Sequence, residues 1–126
     1  MSKQVIATAR APAAVGPYSQ GIIAGGLVFT AMQIPLVPGS GELASGGIEA
    51  QTRQVLDNVQ AVLEAAGSSL ARAAKVTVYL ADLTDFGAVN ELYATYFPDA
   101  PPARAVVEVA GIPKGALIAM EAVALG

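Results

Sequence analysis

The stretch IEAQTRQVLDNVQAVLEAAGSSLARAAKVTVYL, residues 48–80, decides the fold class of this chain. Apolar side chains recur in its first part at the spacing of one helix face, which predicts a helix over residues 48–66 that ends near Gly67. The last five residues, Val-Thr-Val-Tyr-Leu, alternate as a strand does and predict one over residues 76–80. An amphipathic helix followed by such a strand is typical of an α+β domain.

The N-terminal part of the chain predicts three strands before that helix. Residues 5–7 predict a short first strand. Residues 18–24 and 27–32 predict a hairpin, because Gly25 and Gly26 supply the positive φ angles that a tight two-residue turn requires.

The C-terminal part predicts one more helix and two more strands. We expect Thr84 to cap the helix and Pro98 to end it. Residues 103–110 and 116–125 predict the last two strands. The order is β-β-β-α-β-α-β-β, so residues 1–126 predict a single α+β domain with two helices packed on one face of a sheet.

The composition is unusually poor in charge. Hydrophobic residues make up 54% of the 126 positions and charged residues only 13%, against about 25% in a typical domain. The apolar stretches are broken well before the roughly 20 residues that a membrane-spanning helix needs, so no membrane association is expected. We therefore expect a subunit that hides much of its surface against copies of itself.

The residue types that are missing exclude several kinds of chemistry. The chain has no Cys and no His, so thiolate nucleophiles, disulfides, Ser-His-Asp triads and His-ligated metals are excluded, and no cofactor or metal is expected. With 7 basic and 10 acidic residues it shows no nucleic-acid footprint. The N-terminus, Met1-Ser2-Lys3-Gln4, lacks the apolar core of a signal peptide, so a cytoplasmic location is expected.

Two charged residues stand within apolar strands. Glu121 is the only polar side chain in residues 116–125, and Arg104 begins an apolar strand that we expect beside it. One interpretation is a structural ion pair, or two strand ends in water. The other is a polar pocket in which Arg104 binds a substrate carboxylate while Glu121 positions or deprotonates water.

Three further polar residues, Tyr18, Asn58 and Asn90, have ordinary interpretations, and Tyr18 also has a functional one. Gly-Pro-Tyr ending at Tyr18 is typical of a turn with a packed ring, although the hydroxyl could hydrogen-bond a ligand. Asn58 and Asn90 read as polar residues at helix margins or as local hydrogen-bond partners.

Several segments resemble the reactive intermediate deaminase (RidA/YjgF) family, in family order and over nearly the whole chain. They are APAAVGPYSQG (11–21), QIP (33–35), QTRQVLDNV (51–59), LEAAG (63–67), KVTVYLADLTDF (75–86), VNELY (89–93), PPAR (101–104) and EAVA (121–124). The resemblance implies a chorismate-mutase-like fold with a six-stranded mixed sheet and two helices on one face. It also implies a homotrimer with ligand clefts between subunits.

The resemblance further implies hydrolysis of enamines and imines, such as 2-aminoacrylate and 2-iminopropanoate, to a 2-keto acid and ammonia. Arg104 matches the residue that binds the substrate carboxylate, Glu121 the acid that orients the attacking water, and Tyr18 a cleft tyrosine. The remaining ligand contacts implied are Met32, Ala31, Val106 and Asn90.

Two positions depart from the family pattern. Met32 stands where the family usually has Gly, and its flexible thioether is expected to narrow or reshape the pocket. Ala105 and Val106 follow the arginine where the family often has Ser, Thr or Cys. A non-catalytic ligand-binding or regulatory trimer is therefore the alternative, and ribonuclease activity is disfavoured by the acidic, His-free composition.

Overall fold

The computed structural model describes residues 2–126. The regular elements are β1 (Gln4–Ile6), β2 (Gly21–Ala24), β3 (Leu27–Thr30), α1 (Gly47–Ala65), β4 (Ala73–Leu80), α2 (Phe86–Tyr96), β5 (Ala103–Glu108) and β6 (Ile118–Leu125). Their order confirms the predicted β-β-β-α-β-α-β-β arrangement.

The strands form one six-stranded mixed sheet in the order β1-β2-β3-β6-β4-β5. The β4–β5 pair is parallel and the other pairs are antiparallel. The expectation that β5 lies beside β6 is wrong, because β4 separates them. The chain leaves β4 through α2 and returns parallel to β4 at the edge of the sheet, as a helical crossover requires. β6 then fills the place between β3 and β4.

The predicted hairpin is confirmed, but its strands are shorter than expected. Gly25 and Gly26 form the turn with φ of 60° and 76°. Residues 18–20 lie before β2 and residues 31–32 lie after β3, so the two strands are shorter than predicted at their ends away from the turn. At Gly21 a Cβ atom would stand 2.7 Å from Val62 Cγ1, so glycine lets β2 approach α1 closely.

Both helices cover the same face of the sheet. α1 buries Val55, Leu56, Val59 and Leu63 against a core that includes Val76, Val78, Ile118 and Met120 of the sheet, and Val89 and Tyr93 of α2 belong to the same core.

The expected cap of α2 at Thr84 is wrong. Asp82 Oδ1 accepts hydrogen bonds from the Thr84 N–H (2.9 Å) and from the Thr84 hydroxyl (2.7 Å), which caps a short 3-10 turn, Leu83–Asp85. Because its hydroxyl donates to this carboxylate, Thr84 does not begin the α-helix, which starts two residues later at Phe86.

Within residues 2–126, no helix covers the opposite face of the sheet, which we call the open face. Register places on it Phe29, Val123, Glu121, Thr77 and Tyr79. Phe29 retains 39% of its accessible surface and Val107 retains 43%. Apolar side chains thus remain uncovered on this face. Neither helix among residues 2–126 is long and apolar enough to cross a membrane.

Candidate functional site

Arg104 carries a guanidinium group that its neighbours hold in place. Nη1 donates a 2.8 Å hydrogen bond to Asn90 Oδ1. Cζ lies 4.8 Å from the centroid of the Tyr93 ring and 5.5 Å from that of Phe86, so two aromatic rings of α2 support the cation. Arg104 pairs with Val76 in register and therefore lies on the helix side of β5. Because Asn90 takes one of five N–H groups, the guanidinium retains donors for a carboxylate.

A cavity of about 360 Å³ lies beside this guanidinium and is called the Arg104 cavity. Its lining consists of Asn90, Tyr93, Ala94, Phe97, Pro101, Pro102 and Arg104. The Tyr93 ring stacks on Phe97 at a centroid distance of 4.5 Å, and its hydroxyl is buried without a hydrogen-bond partner among the described residues. Burial raises the pKa of the Tyr93 phenol, so this group stays protonated at neutral pH.

A second cavity, of about 490 Å³, contains the other sequence-predicted ligand contacts. We call it the Tyr18–Met32 cavity, and its lining comprises Pro12, Ala13, Val15, Tyr18, Ala31, Met32, Gln33, Ile34, Leu36, Pro113 and Lys114. Tyr18 is 51% exposed and Met32 40% exposed, so both side chains are accessible to a ligand. The lining contains no carboxylate, and Lys114 is its only charged side chain.

Glu121 lies on the open face, on the side of the sheet opposite Arg104. Its register partner is Thr77, and its Oε1 accepts a 2.6 Å hydrogen bond from the Tyr79 hydroxyl. This hydrogen bond, together with burial, raises the pKa of Tyr79. The hypothesis of an ion pair between Arg104 and Glu121 within one chain is therefore wrong, because the two side chains point to opposite faces of the sheet and β4 separates their strands.

A bulge brings the segment of Ala31 and Met32 next to Glu121. Phe29 pairs with Val123 and Gln33 bridges to Met120, so three residues, 30–32, lie opposite two. The Thr30 hydroxyl fills the ladder by accepting from the Ala122 N–H at 3.0 Å. Glu121 thus lies beside the bulge although it does not line the cavity in front of it.

Within one chain the two cavities do not meet. Register runs from Gln33 to Met120, then to Val78 of β4 and Val106 of β5. Three strand spacings separate Gln33 from Val106, or about 14 Å. The structure therefore brings together Arg104 with Asn90, and Tyr18 with Ala31 and Met32, as two separate groups. The half-buried Val106 packs against the core and lines neither cavity.

Several residues near these sites escaped prediction from the sequence. Tyr79 belongs with Glu121 only because of the register between β4 and β6, which no local pattern shows. Phe86 and Tyr93 have the spacing of one helix face, but the sequence does not show that the strand of Arg104 lies beside their rings. Asn58 is fully buried rather than at a margin, and it donates to the carbonyls of Ile34 (3.1 Å) and Leu36 (3.0 Å).

Among residues 2–126, no group of three or more Asp and Glu side chains lies close enough together to hold a metal ion. The chemistry available at the two cavities is that of a guanidinium, a phenol, an ammonium and a nearby carboxylate.

Comparison with known proteins gives consistent matches over nearly the whole chain. The family model described as Endoribonuclease L-PSP matches residues 8–125. A RutC family protein of Pyrococcus horikoshii is 55% identical over 122 residues, covering 97% of this chain and 97% of its own length. The human 2-iminobutanoate/2-iminopropanoate deaminase is 46% identical over 123 residues, covering 98% of this chain and 90% of its own length.

Solved structures match at the level of the whole fold. The crystal structure of E. coli TdcF with bound serine superposes with a TM-score of 0.92 at 40% identity, covering 98% of each chain. The six-stranded sheet and two helices of this chain therefore have a counterpart in a solved protein of similar sequence. On these matches, the chain belongs to the reactive intermediate deaminase (RidA/YjgF) family, whose family model is the one described as Endoribonuclease L-PSP.

Proposed function

We propose that this protein hydrolyses the imine or enamine form of a small 2-amino acid to a 2-keto acid and ammonia. The observation that carries the proposal is the guanidinium of Arg104, which Asn90 and two aromatic rings hold in one orientation at the mouth of a cavity. A group oriented in this way binds a planar carboxylate through two parallel hydrogen bonds with little further ordering. The relatives named as 2-iminobutanoate/2-iminopropanoate deaminases support the same substrate class.

The reaction needs little acid–base chemistry. An enamine takes a proton at its terminal carbon and loses one from nitrogen to become an imine, whose carbon is already electrophilic. The oxygen of a water molecule forms a bond to that carbon while the C=N π pair moves to nitrogen, which takes up the proton that the water gives up. The resulting carbinolamine transfers its hydroxyl proton to nitrogen; the carbon–oxygen double bond then forms as the carbon–nitrogen bond breaks, and ammonia leaves. Fixing the carboxylate and placing one water supplies much of the acceleration, since orientation removes an entropic barrier. No metal or cofactor enters these steps.

We assign the placing of this water to Glu121. Its carboxylate accepts the Tyr79 hydroxyl through Oε1, which leaves its remaining lone pairs for water. Tyr79 fixes the orientation of the carboxylate, and Glu121 is only partly buried, so water reaches it. Glu121 lies beside the bulge that contains Ala31 and Met32. Because these two residues line the same cavity as Tyr18, we propose that Glu121 acts next to the Tyr18–Met32 cavity.

A complete site requires a second copy of the chain. The strand of Arg104 lies three strand spacings, about 14 Å, across the sheet from the segment of Met32, and the two cavities share no lining residue, so one small imino acid does not contact both within one chain. We therefore propose a homotrimer in which the Arg104 cavity of one subunit faces the Tyr18–Met32 cavity of its neighbour. The uncovered apolar side chains of the open face and the low charge content support such an assembly.

The experiment that tests the function generates 2-aminoacrylate from serine with a dehydratase and follows its conversion to pyruvate. We expect the protein to accelerate this step and Arg104→Ala to lower kcat/KM about a hundredfold, because the substrate anion loses its two-point partner. Arg72→Ala is the matched control, since the exposed Arg72 donates to the carbonyls of Leu125 and Gly126 and lines neither cavity. Equal acceleration by wild type and Arg104→Ala would contradict the proposal.

A second candidate is a trimer that binds 2-keto or imino acids without turning them over. The observation that favours it is the Tyr18–Met32 cavity, whose lining holds Met32 and no carboxylate. This alternative predicts that calorimetry detects binding of 2-ketobutyrate while the pyruvate assay shows no acceleration. It also predicts that Met32→Gly gains activity. Turnover by the wild type excludes it.

A further inference from the structure

The side chain of Gln20 does not itself line the Tyr18–Met32 cavity. It lines a neighbouring cavity of about 490 Å³ that shares Ala13 and Tyr18 with it, and it hydrogen-bonds to Pro12, which lines the Tyr18–Met32 cavity. It is 5% exposed, and its amide makes four hydrogen bonds to main-chain groups. Nε2 donates to the carbonyl oxygens of Thr8 (3.0 Å), Ala11 (3.2 Å) and Pro12 (2.8 Å), and Oε1 accepts from the Thr8 N–H at 2.6 Å. Because the amide nitrogen carries two N–H groups, one of them is shared between two of the three carbonyls, and both donors and the oxygen serve one stretch of chain.

The stretch that Gln20 holds has no helix or strand of its own. Residues 8–12 follow β1. Pro12, the last of them, and the next residue, Ala13, line the Tyr18–Met32 cavity. Main-chain groups that lie outside regular structure need other partners when they are buried. The Gln20 amide supplies these partners and so takes the role that a neighbouring strand would have.

The main chain of Gln20 holds a second segment of the lining of the Tyr18–Met32 cavity. Its carbonyl oxygen accepts a 2.8 Å hydrogen bond from the N–H of Ala31, the residue before Met32. The next residue, Gly21, packs against Val62 of α1, which gives Gln20 a rigid base. Gln20 thus connects the segment of Pro12 with the segment of Met32, its neighbour Gly21 approaches α1 closely, and Tyr18 lies two positions before Gln20.

We infer that Gln20 is the positioning residue of the Tyr18–Met32 cavity, since its amide sets the distance between these two segments of the lining. The identity of that ligand as a small imino or 2-keto acid rests on the proposed function. Gln20 acts through these segments, so its loss changes ligand affinity and leaves the groups assigned to carboxylate binding and to water in place.

The test replaces Gln20 by Met, which keeps the length and volume of the side chain and removes every hydrogen bond of the amide. For Gln20→Met we expect KM, and the Kd of 2-ketobutyrate by calorimetry, to rise about tenfold or more while kcat changes less than about threefold. Hydrogen exchange at the Thr8 amide is expected to accelerate. The matched control is Ser68→Ala, which removes a buried hydroxyl that donates to the Leu125 carbonyl, far from the cavity.

The outcomes separate this inference from the proposed function. Unchanged KM and Kd in Gln20→Met, with faster exchange at Thr8, would overturn the positioning role. Weaker 2-ketobutyrate binding by Gln20→Met, with no turnover by the wild type, would support Gln20 and reject the deaminase. If the wild type neither binds 2-ketobutyrate nor turns over, both fail. If Gln20→Met does not fold, Gln20→Asn replaces it in the test. Its amide is one methylene shorter and does not reach the same main-chain groups, so we expect a smaller rise in KM and Kd.

Discussion

Asn90 Oδ1 accepts a 2.8 Å hydrogen bond from Nη1 of Arg104 and so links α2 to the edge strand β5. This contact gives Asn90, which also lines the Arg104 cavity, the further capacity to orient the arginine. The amide oxygen is uncharged, so it directs the guanidinium without neutralising it, and the positive charge remains available to an anionic ligand.

The first prediction concerns this pair. Asn90→Ala is expected to raise KM about fivefold, because the guanidinium loses the hydrogen bond that orients it. Asn90→Asp is expected to raise KM further, since a carboxylate at this position competes with the substrate for Arg104. Steady-state kinetics with 2-aminoacrylate measures both. A smaller effect for Asn90→Asp than for Asn90→Ala would contradict the assigned orientation.

The second prediction concerns Tyr79 and Glu121. Tyr79→Phe removes the hydrogen bond to the carboxylate, so kcat is expected to fall about tenfold with little change in KM, while Glu121→Gln is expected to lower kcat at least as far. The double variant tests whether they act together: because both changes disturb one group, their effects are expected to be less than additive. Strictly additive losses would show that Tyr79 does not act through Glu121.

The third prediction concerns alkaline stability. Burial, followed by the hydrogen bond to Asp57, raises the pKa of Tyr96 from 10.0 to about 12. The unfolded chain releases this proton at lower pH than the folded chain, so the stabilisation is fully present below about pH 10 and is lost as pH rises toward about 12. Denaturant unfolding between these pH values should show a shallower decline for Tyr96→Phe than for wild type; parallel declines would contradict the assignment.

The fourth prediction concerns the close approach at Gly21. In Gly21→Ala the new methyl group would lie 2.7 Å from Val62 Cγ1 and 3.3 Å from the Phe29 carbonyl oxygen, so the variant is expected to lose about 1–3 kcal/mol of unfolding free energy. In a Val62→Ala background the same change is expected to cost less, because the clashing methyl group is gone. An equal cost in both backgrounds would locate the strain elsewhere.

The fifth prediction concerns the open face. Phe29→Asp places a charge among apolar side chains that we propose are covered in the trimer, so light scattering should show a trimer for wild type and smaller species for the variant. Val37→Asp is the matched control, since Val37 is also an exposed apolar residue but lies in the loop before α1. A monomeric wild type would contradict the proposed assembly.

The sequence by itself determined the order of the elements and the buried side of α1. Periodicity is a local property, so the apolar spacing of residues 48–66 and the glycine pair at Gly25 predicted α1 and the hairpin from neighbouring residues alone. The expected cap at Thr84 failed because Asp82, two residues earlier, supplies a charged acceptor that takes up its hydroxyl. Arg104 was identified as unusual because charge is rare in an apolar strand.

Tertiary structure alone decided which of these residues meet. Pairing between strands depends on register and on strand order, which are long-range properties: β4 lies between β5 and β6, and this places Arg104 and Glu121 on opposite faces. The same register joins Tyr79 to Glu121 from 42 positions away. Gln20 gave no signal in the sequence, because a buried amide acquires its role only when the folded chain brings four main-chain groups to it.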